Sequence, residues 1–271
     1  NIDAIAVTRG PGLIGSLLIG VLTAEVLAIE KQKPLIGVNH ILAHAFASFL
    51  TQNEQPQFPL LALVVSGGDS RLLLFQEDLS FETLGATRDD AAGEAFDKVA
   101  ALLGLPYPGG PSIEALAKRG KANRYSLSAG RVKRNPLDFS FSGLKTSVLY
   151  AAKGQDGKGA NILSEQEKAD LAACFQETAF RDILEKTSLA LATFGAKAIF
   201  LGGGVCNNRR LQTLFRETYS HLPIYFPSSE LTLDNAAMIA GLGYQKFCSH
   251  PVSDPLDLEA QTRIPLYTAP G

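Results

Sequence analysis

Apolar residues along this chain recur at two different periods, and the two kinds of run alternate. Ile2 to Val7 reads as a strand, interrupted only by Asp3. A glycine turn, Gly10-Pro11-Gly12-Leu13-Ile14-Gly15, then opens a long apolar helix from Leu13 to about Glu30. Leu35-Ile36-Gly37-Val38 is a second short strand. Thr51 to Gln57 is polar and contains Pro56, as a linker would. Leu60 to Val65 is a continuous apolar run, read as a buried strand; it breaks at Ser66-Gly67-Gly68-Asp69-Ser70 and resumes at Arg71 to Phe75, which makes a hairpin. Asp89 to Leu103 has helical spacing, with Ala92, Phe96, Val99, Ala100 and Leu103 on one face. Asp170 to Phe194 is a second amphipathic helix. Ala196 to Leu201 is a strand, Gly202-Gly203-Gly204 a turn, and Asn207 to Tyr219 a helix. Strands, glycine turns and helices in this order define an α/β protein.

Composition narrows the class. With 271 residues, 46% hydrophobic and 19% charged, the chain is globular and long enough for one large domain or two lobes. A net charge of −2 does not mark a nucleic-acid binder, so any such surface must be local. The basic stretch from Leu116 to Arg134, carrying Lys118, Arg119, Lys121, Arg124, Arg131, Lys133 and Arg134 without an acidic residue, could bind nucleic-acid phosphates, or else is a solvated helix end and loop. Three scattered cysteines, Cys174, Cys206 and Cys248, fit a reducing cytoplasm better than a disulfide framework. No membrane span is expected, because Leu13 to Ile29 is interrupted by Gly15, Ser16, Gly20, Thr23 and Glu25.

The chemistry begins at His40 and His44, half of the histidines in the chain. Four residues apart on a helix, they share a face one turn apart and can bind one metal ion. The alternative is a helix-start residue and a satisfied core histidine. Ile41 stands where a zinc protease needs its glutamate base, which argues against metal-assisted peptide hydrolysis. The letters of Gly10, Gly12 and Gly15 match a dinucleotide fingerprint, but the next strand ends Val38-Asn39-His40 with no acidic residue for a ribose. Those glycines are expected to serve a tight turn and close packing. Glycine turns at 66–68 and 202–204 suit phosphate groups, or simply tight turns.

Six blocks in order carry a resemblance. They are Gly10-Pro11-Gly12; His40 with His44; Ser66-Gly67-Gly68; the run from Gly85 to Glu114 containing Asp89-Asp90-Ala91-Ala92-Gly93-Glu94-Ala95-Phe96-Asp97-Lys98; Phe139-Ser140-Phe141-Ser142-Gly143-Leu144-Lys145; and Gly203-Gly204-Val205 with Asn208, followed by Asp234-Asn235-Ala236-Ala237-Met238. Together they resemble the TsaD family of tRNA threonylcarbamoyladenosine transferases across nearly the whole chain.

The resemblance implies a two-lobed actin/hexokinase/Hsp70-like (ASKHA) α/β fold around a nucleotide cleft. Residues 1–58, completed by 236–271, would form the first lobe with the metal histidines, and 59–235 the second lobe with the substrate loops. It implies transfer of a threonylcarbamoyl group from threonylcarbamoyl-adenylate to N6 of adenosine 37 in tRNAs reading ANN codons. By motif, His40, His44 and Asp234 would hold one divalent metal, iron or zinc; Asp234 alone would otherwise read as a helix N-cap. Val64, Val65, Ser66, Gly67 and Gly68 would form the substrate loop. Asp97 and Gly110 would line the nucleoside, Asn208 would touch substrate, and Glu114 would add an acidic contact. Implied partners are tRNA, TsaB-like and TsaE-like proteins, and a separate synthase for the adenylate. The helix from Leu13 to Ile29 would be the docking element, or else a fully buried one.

Three departures stand out. The substrate loop usually reads Ser-Gly-Gly-His-Thr, whereas here Asp69-Ser70 follow the glycines. An anion beside a phosphate site is unfavourable unless a base or metal neutralises it; strand alternation puts Arg71 on the face of Asp69. Leu42 stands where bacterial members often have Glu. The family's opening Gly-Ile-Glu-Thr-Ser-Cys-Asp segment is not in this sequence, so the first lobe is expected to be N-terminally incomplete. Competing readings are an ATPase or phosphotransferase of the same superfamily, which would hold magnesium through carboxylates and phosphates, a non-catalytic scaffold paralogue, and a small-molecule O-carbamoyltransferase.

Overall fold

The computed structural model describes residues 2–51, 56–78, 80–130, 132–154, 163–228, 230–249 and 251–264. It divides the chain into two compact units, Asn1–Gln55 with Phe226–Gly271, and Pro56–Tyr225. The division therefore departs from the expected boundaries at 58/59 and 235/236. The physical reason is that the chain leaves the second sheet after Tyr225, so residues 226–235, Asp234 among them, fold with the first unit.

Unit 1 is a parallel strand pair between helices. β1 (Ile5–Gly10) pairs with β2 (Leu35–Asn39), Ile5 opposite Leu35 and Thr8 opposite Val38. The crossover is α1 (Ile14–Lys31). Strand alternation sends Ile5 and Val7 toward α1, where they pack on Val21, Ala24 and Ala28. Ala6 points the other way, onto Gly243 of α8 (Ala236–Ser249). α2 (His40–Phe46) follows β2 directly. The open edge of β2 is closed by the C-terminal segment. Leu35 N–H donates to Ser253 Oγ at 3.0 Å, Gly37 N–H to Asp254 Oδ2 at 2.6 Å, and Asp254 N–H to Leu35 O. Of the fingerprint glycines, Gly10 does serve close packing, since a Cβ there would stand 2.0 Å from Gln261 O; Gly15 faces open space.

Unit 2 is built on a five-stranded mixed sheet in the order β5-β4-β3-β6-β7, with β3 (Leu60–Val65), β4 (Ser70–Phe75), β5 (Phe81–Ala86), β6 (Ala198–Gly202) and β7 (Ile224–Tyr225). β3 lies at the centre, antiparallel to β4 and parallel to β6, which explains its unbroken apolar run. The helices are α3 (Ala92–Leu102), α4 (Gly109–Ala117), α5 (Ser142–Lys153), α6 (Glu165–Phe194) and α7 (Arg209–Thr218). Phe96 of α3 meets Phe175 and Phe180 of α6 with ring centroids 4.8 and 5.6 Å apart.

Element ends moved where polar side chains do the capping. α6 starts at Glu165, not Asp170, because Ser164 and Glu167 form a capping box. α3 starts at Ala92, not Asp89, because both aspartates are engaged elsewhere. Asp89 accepts from Ser140 and Ser142 hydroxyls and from the Phe141 and Ser142 amides, while Asp90 pairs with Lys98 and Lys145. Of the expected linker, residues 52–55 lie outside the described residues.

Candidate metal centre and nucleoside wall

In unit 1, Asn39 sets the position of both histidines. Its side-chain oxygen accepts from the Ile41 and Leu42 amides at 2.9 and 3.2 Å, so the helix begins at His40 and reaches His44 one turn later. The two rings meet edge to face, centroids 4.8 Å apart. Asp234 arrives from the other direction, just before α8. It is not the cap of that helix. Asn235 is, its Oδ1 accepting from Met238 N–H at 2.9 Å while its amide donates to Leu233 O. The carboxylate of Asp234 is thereby left to the imidazoles, its Oδ1 3.0 Å from His44 Nε2 and 3.4 Å from His40 Nε2.

The donor set fits a divalent metal. Two imidazole nitrogens and a carboxylate oxygen lie within 4.8 Å of one another. Ligands about 2.0–2.1 Å from a tetrahedral zinc ion stand roughly 3.3 Å apart, close to the two carboxylate–imidazole separations of 3.0 and 3.4 Å. His44 is buried at 4% exposure, whereas Asp234 is 77% exposed, so the set is anchored on one side and open to solvent on the other. Leu42 supplies no second carboxylate to this cluster.

In unit 2 the predicted site residues fall into two groups, one at the Val64–Gly68 turn and one around α4 and the start of α7. Val64 and Val65 end β3 with buried side chains, so they can offer only backbone. Ser66 turns the hairpin, its Oγ accepting from Gly68 and Asp69 amides at 3.3 and 3.1 Å. Gly67 and Gly68 are exposed, with nothing within 4 Å of where a Cβ would stand. The second glycine turn packs directly behind this loop. Gly203 has φ +88°, and a Cβ there would meet Val65 O at 2.4 Å. Gly93 of α3 abuts the same loop, a Cβ there falling 2.7 Å from Ser66 O.

The remaining residues sit around α4. Asp97 Oδ1 accepts from Gly109 N–H at 2.7 Å, and Gly110 faces open space. Glu114 accepts from Arg209 N–H at 3.0 Å. Asn208 is 7% exposed and caps α7, accepting from Arg210 and Leu211 amides while donating to Gln176 Oε1 at 2.8 Å. Sequence reasoning missed Asp89, Asp90 and Lys145, whose bonds tie the Asp89–Lys98 block to α5; their presence inside two of the six blocks was the available signal.

The Asp69 departure is neutralised as strand alternation suggested, Arg71 Nε donating to Asp69 Oδ2 at 2.6 Å. Cys206 is no nucleophile, since burial pushes its thiol up to about 12 and Sγ donates to Gly202 O. The basic stretch is less isolated than its sequence suggests. The first turns of α6 set Glu165, Glu167 and Asp170 near Arg119 and Arg124, and Lys121 N–H donates to Asp170 Oδ1 at 2.8 Å. Arg131 lies outside the described residues.

The family model of TsaD, described as tRNA N6-adenosine threonylcarbamoyltransferase, matches residues 1–241. The chain belongs to the TsaD family. Relatives bearing that enzyme's name include one from Protochlamydia amoebophila, 51% identical over 98% of this chain and 78% of its own length. Another, from Moorella thermoacetica, is 44% identical over 98% of this chain and 77% of its own. TsaD members are transferases of tRNA threonylcarbamoyladenosine modification, and this chain is one of them. Among solved structures, HypF from T. kodakarensis superposes with a TM-score of 0.67 at 16% identity, covering 91% of this chain and 41% of that one. Full-length HypF in a phosphate- and nucleotide-bound form gives 0.61 over 84% and 46%. These likenesses show a shared mixed α/β fold.

Proposed function

We propose that the chain transfers a threonylcarbamoyl group from threonylcarbamoyl-adenylate to N6 of adenosine 37 in tRNAs reading ANN codons, using one iron or zinc ion held by His40, His44 and Asp234. The observation that carries the metal is the division of labour before α8, where Asn235 takes the cap and Asp234 is left for the two imidazoles. A bound divalent ion supplies Lewis acidity, polarising a carbonyl or phosphoryl oxygen. The two-unit α/β architecture and the likeness to a nucleotide-binding HypF support an actin/hexokinase/Hsp70-like (ASKHA) assignment.

In this reading the residues of unit 2 bind the adenylate. The Ser66–Gly68 turn gives its oxygens unobstructed backbone, and Asp97 uses one carboxylate oxygen on Gly109, keeping the other for ribose hydroxyls. Gly110 lets the nucleoside lie against backbone. Asn208 and Glu114 hold α7 and α4 in register beside it, acting as positioning residues. The N6 amine attacks the carbamoyl carbon, the bond to the phosphate oxygen breaks, one N6 proton is lost, and AMP departs. No side chain is assigned as general base.

The partner surface proposed for a TsaB-like protein is the outer face of α1. Leu17, Val21, Ala24 and Ala28 are buried, yet Leu18, Ile19, Leu22, Val26 and Ile29 are exposed on the same helix. TsaE-like and adenylate-synthesising proteins complete the proposed system. No helix among the described residues is long and apolar enough to cross a membrane; with its free cysteines the chain is proposed to work in the cytoplasm. The test is to incubate protein, partners and tRNA with labelled threonylcarbamoyl-adenylate. Label at N6 of one anticodon-loop adenosine is expected, and unlabelled tRNA would overturn the proposal. Elemental analysis of the purified protein should find iron or zinc, and its loss in His44→Ala.

A further inference from the structure

At 84% exposure, Tyr107 has the most exposed large hydrophobic or aromatic side chain among the described residues. Its backbone is not loose. Pro106 and Pro108 flank it with fixed φ, Ser112 Oγ donates to Pro106 O at 2.8 Å, and Gly109 N–H is held by Asp97. Gly109 packs so tightly on α3 that a Cβ there would meet Asp97 Cα at 2.5 Å. A large ring is thus carried outward on a rigid turn, directly before the open face of Gly110. Preorganised aromatic side chains of this kind bind with little loss of conformational freedom.

A second feature is tied to the helix that Tyr107 precedes, α4. Arg209 begins α7, where the helix dipole disfavours a cation, and its side chain is exposed without an ion-pair partner among the described residues. Its amide is tied to Glu114 of α4, which fixes the start of α7 against that helix. Ring and cation together suit an unpaired nucleotide. An enzyme that modifies a base takes that base out of its stack, and aromatic rings replace the lost stacking.

We propose that Tyr107 stacks on an unpaired base of the acceptor RNA and that Arg209 pairs with a neighbouring phosphate. This rests on the reading of tRNA as acceptor. A donor nucleotide held along Asp97 and Gly110 lies against backbone, whereas a side chain projecting this far meets a larger ligand. The experiment uses an anticodon stem-loop RNA with 2-aminopurine at the acceptor adenosine, titrated with the whole chain. Wild-type protein should change the probe's fluorescence. Tyr107→Ala should weaken RNA binding roughly five- to a hundredfold. Tyr107→Phe should bind as wild type, as should Tyr150→Ala, which removes an exposed tyrosine from α5. Arg209→Ala should lower the slope of log affinity against log salt by about 0.7. Unchanged RNA binding by Tyr107→Ala, or weakened AMP binding with RNA binding intact, would overturn the stacking role; an unchanged salt slope would overturn the phosphate contact. Wild-type protein that binds no RNA would instead remove the acceptor reading, and this inference with it.

Discussion

The candidate metal cluster of unit 1 and the candidate nucleoside-binding residues of unit 2 use polar side chains in opposite ways. Around His40 and His44 the structural work falls to neighbours. Asn39 caps α2 and Asn235 caps α8, so the imidazoles and the Asp234 carboxylate meet one another across 3.0 and 3.4 Å. In unit 2 the motif residues hold backbone themselves. Asn208 caps α7, Glu114 binds an amide of α7, and Asp97 binds an amide of α4. The same kind of motif can therefore leave a polar side chain available as a candidate ligand or use it as a brace, and the hydrogen-bond partners separate the two.

That contrast makes ordered predictions. Asp234→Ala and His44→Ala should each cost more than about 100-fold in transfer rate, the scale expected when a metal's charge stabilisation is lost. Melting temperature of the metal-free protein should move little for Asp234→Ala, because that carboxylate caps no helix and, at 77% exposure, its contact with His44 is solvent-screened. A large drop in stability would make Asp234 a structural residue and erase the comparison. Asn208→Ala should behave in the reverse sense. It uncaps α7 and leaves Gln176 Oε1 without its buried donor, costing about 1–3 kcal/mol in denaturant unfolding. Its metal content should be unchanged. Asn235→Ala sharpens the contrast further. Loss of a cap should cost about 1 kcal/mol, while metal binding persists with an affinity reduced by no more than roughly tenfold.

The strand–turn–helix order of both units was legible because short continuous apolar runs bounded by turn residues, such as Leu60–Val65, contrast with longer runs of period 3.6, such as Ala92–Leu103. The histidine pair was legible from spacing alone. Its carboxylate neighbour was not, since 190 residues separate Asp234 from His44 and only the six-block resemblance joined them. What local reading could not reach was competition between adjacent polar residues. Nothing in Asp234-Asn235 says which side chain caps the helix, and Asp89-Asp90 look like a helix start until Ser140, Ser142 and Lys145 are placed beside them. The surroundings of the basic stretch from Lys118 were out of local reach for the same reason. Its compensating carboxylates lie on α6, more than thirty residues away in sequence.

The smallest effect is set by acid, and it reports on the braces of unit 2. Burial alone would raise Asp89, but its bonds to the Ser140 and Ser142 hydroxyls and the Phe141 and Ser142 amides outweigh that and hold it below the ordinary carboxylate value. Asp90 is lowered likewise, burial being overcome by Lys98 and Lys145. For a carboxylate lowered by folding, the unfolded chain takes up protons first as pH falls. Stability from these bonds is therefore fully present above about pH 4, where the unfolded group ionises, and disappears as pH falls through the folded values. Asp90→Asn removes one of the two groups. At pH 7 it should cost about 0.5–1 kcal/mol, the range of a partly exposed ion pair. Below about pH 4 its unfolding midpoint should approach that of the wild type. If the two curves stay parallel through that window, Asp90 is not the acid-sensitive brace, and the tie between the Asp89–Lys98 block and α5 must lie with Asp89.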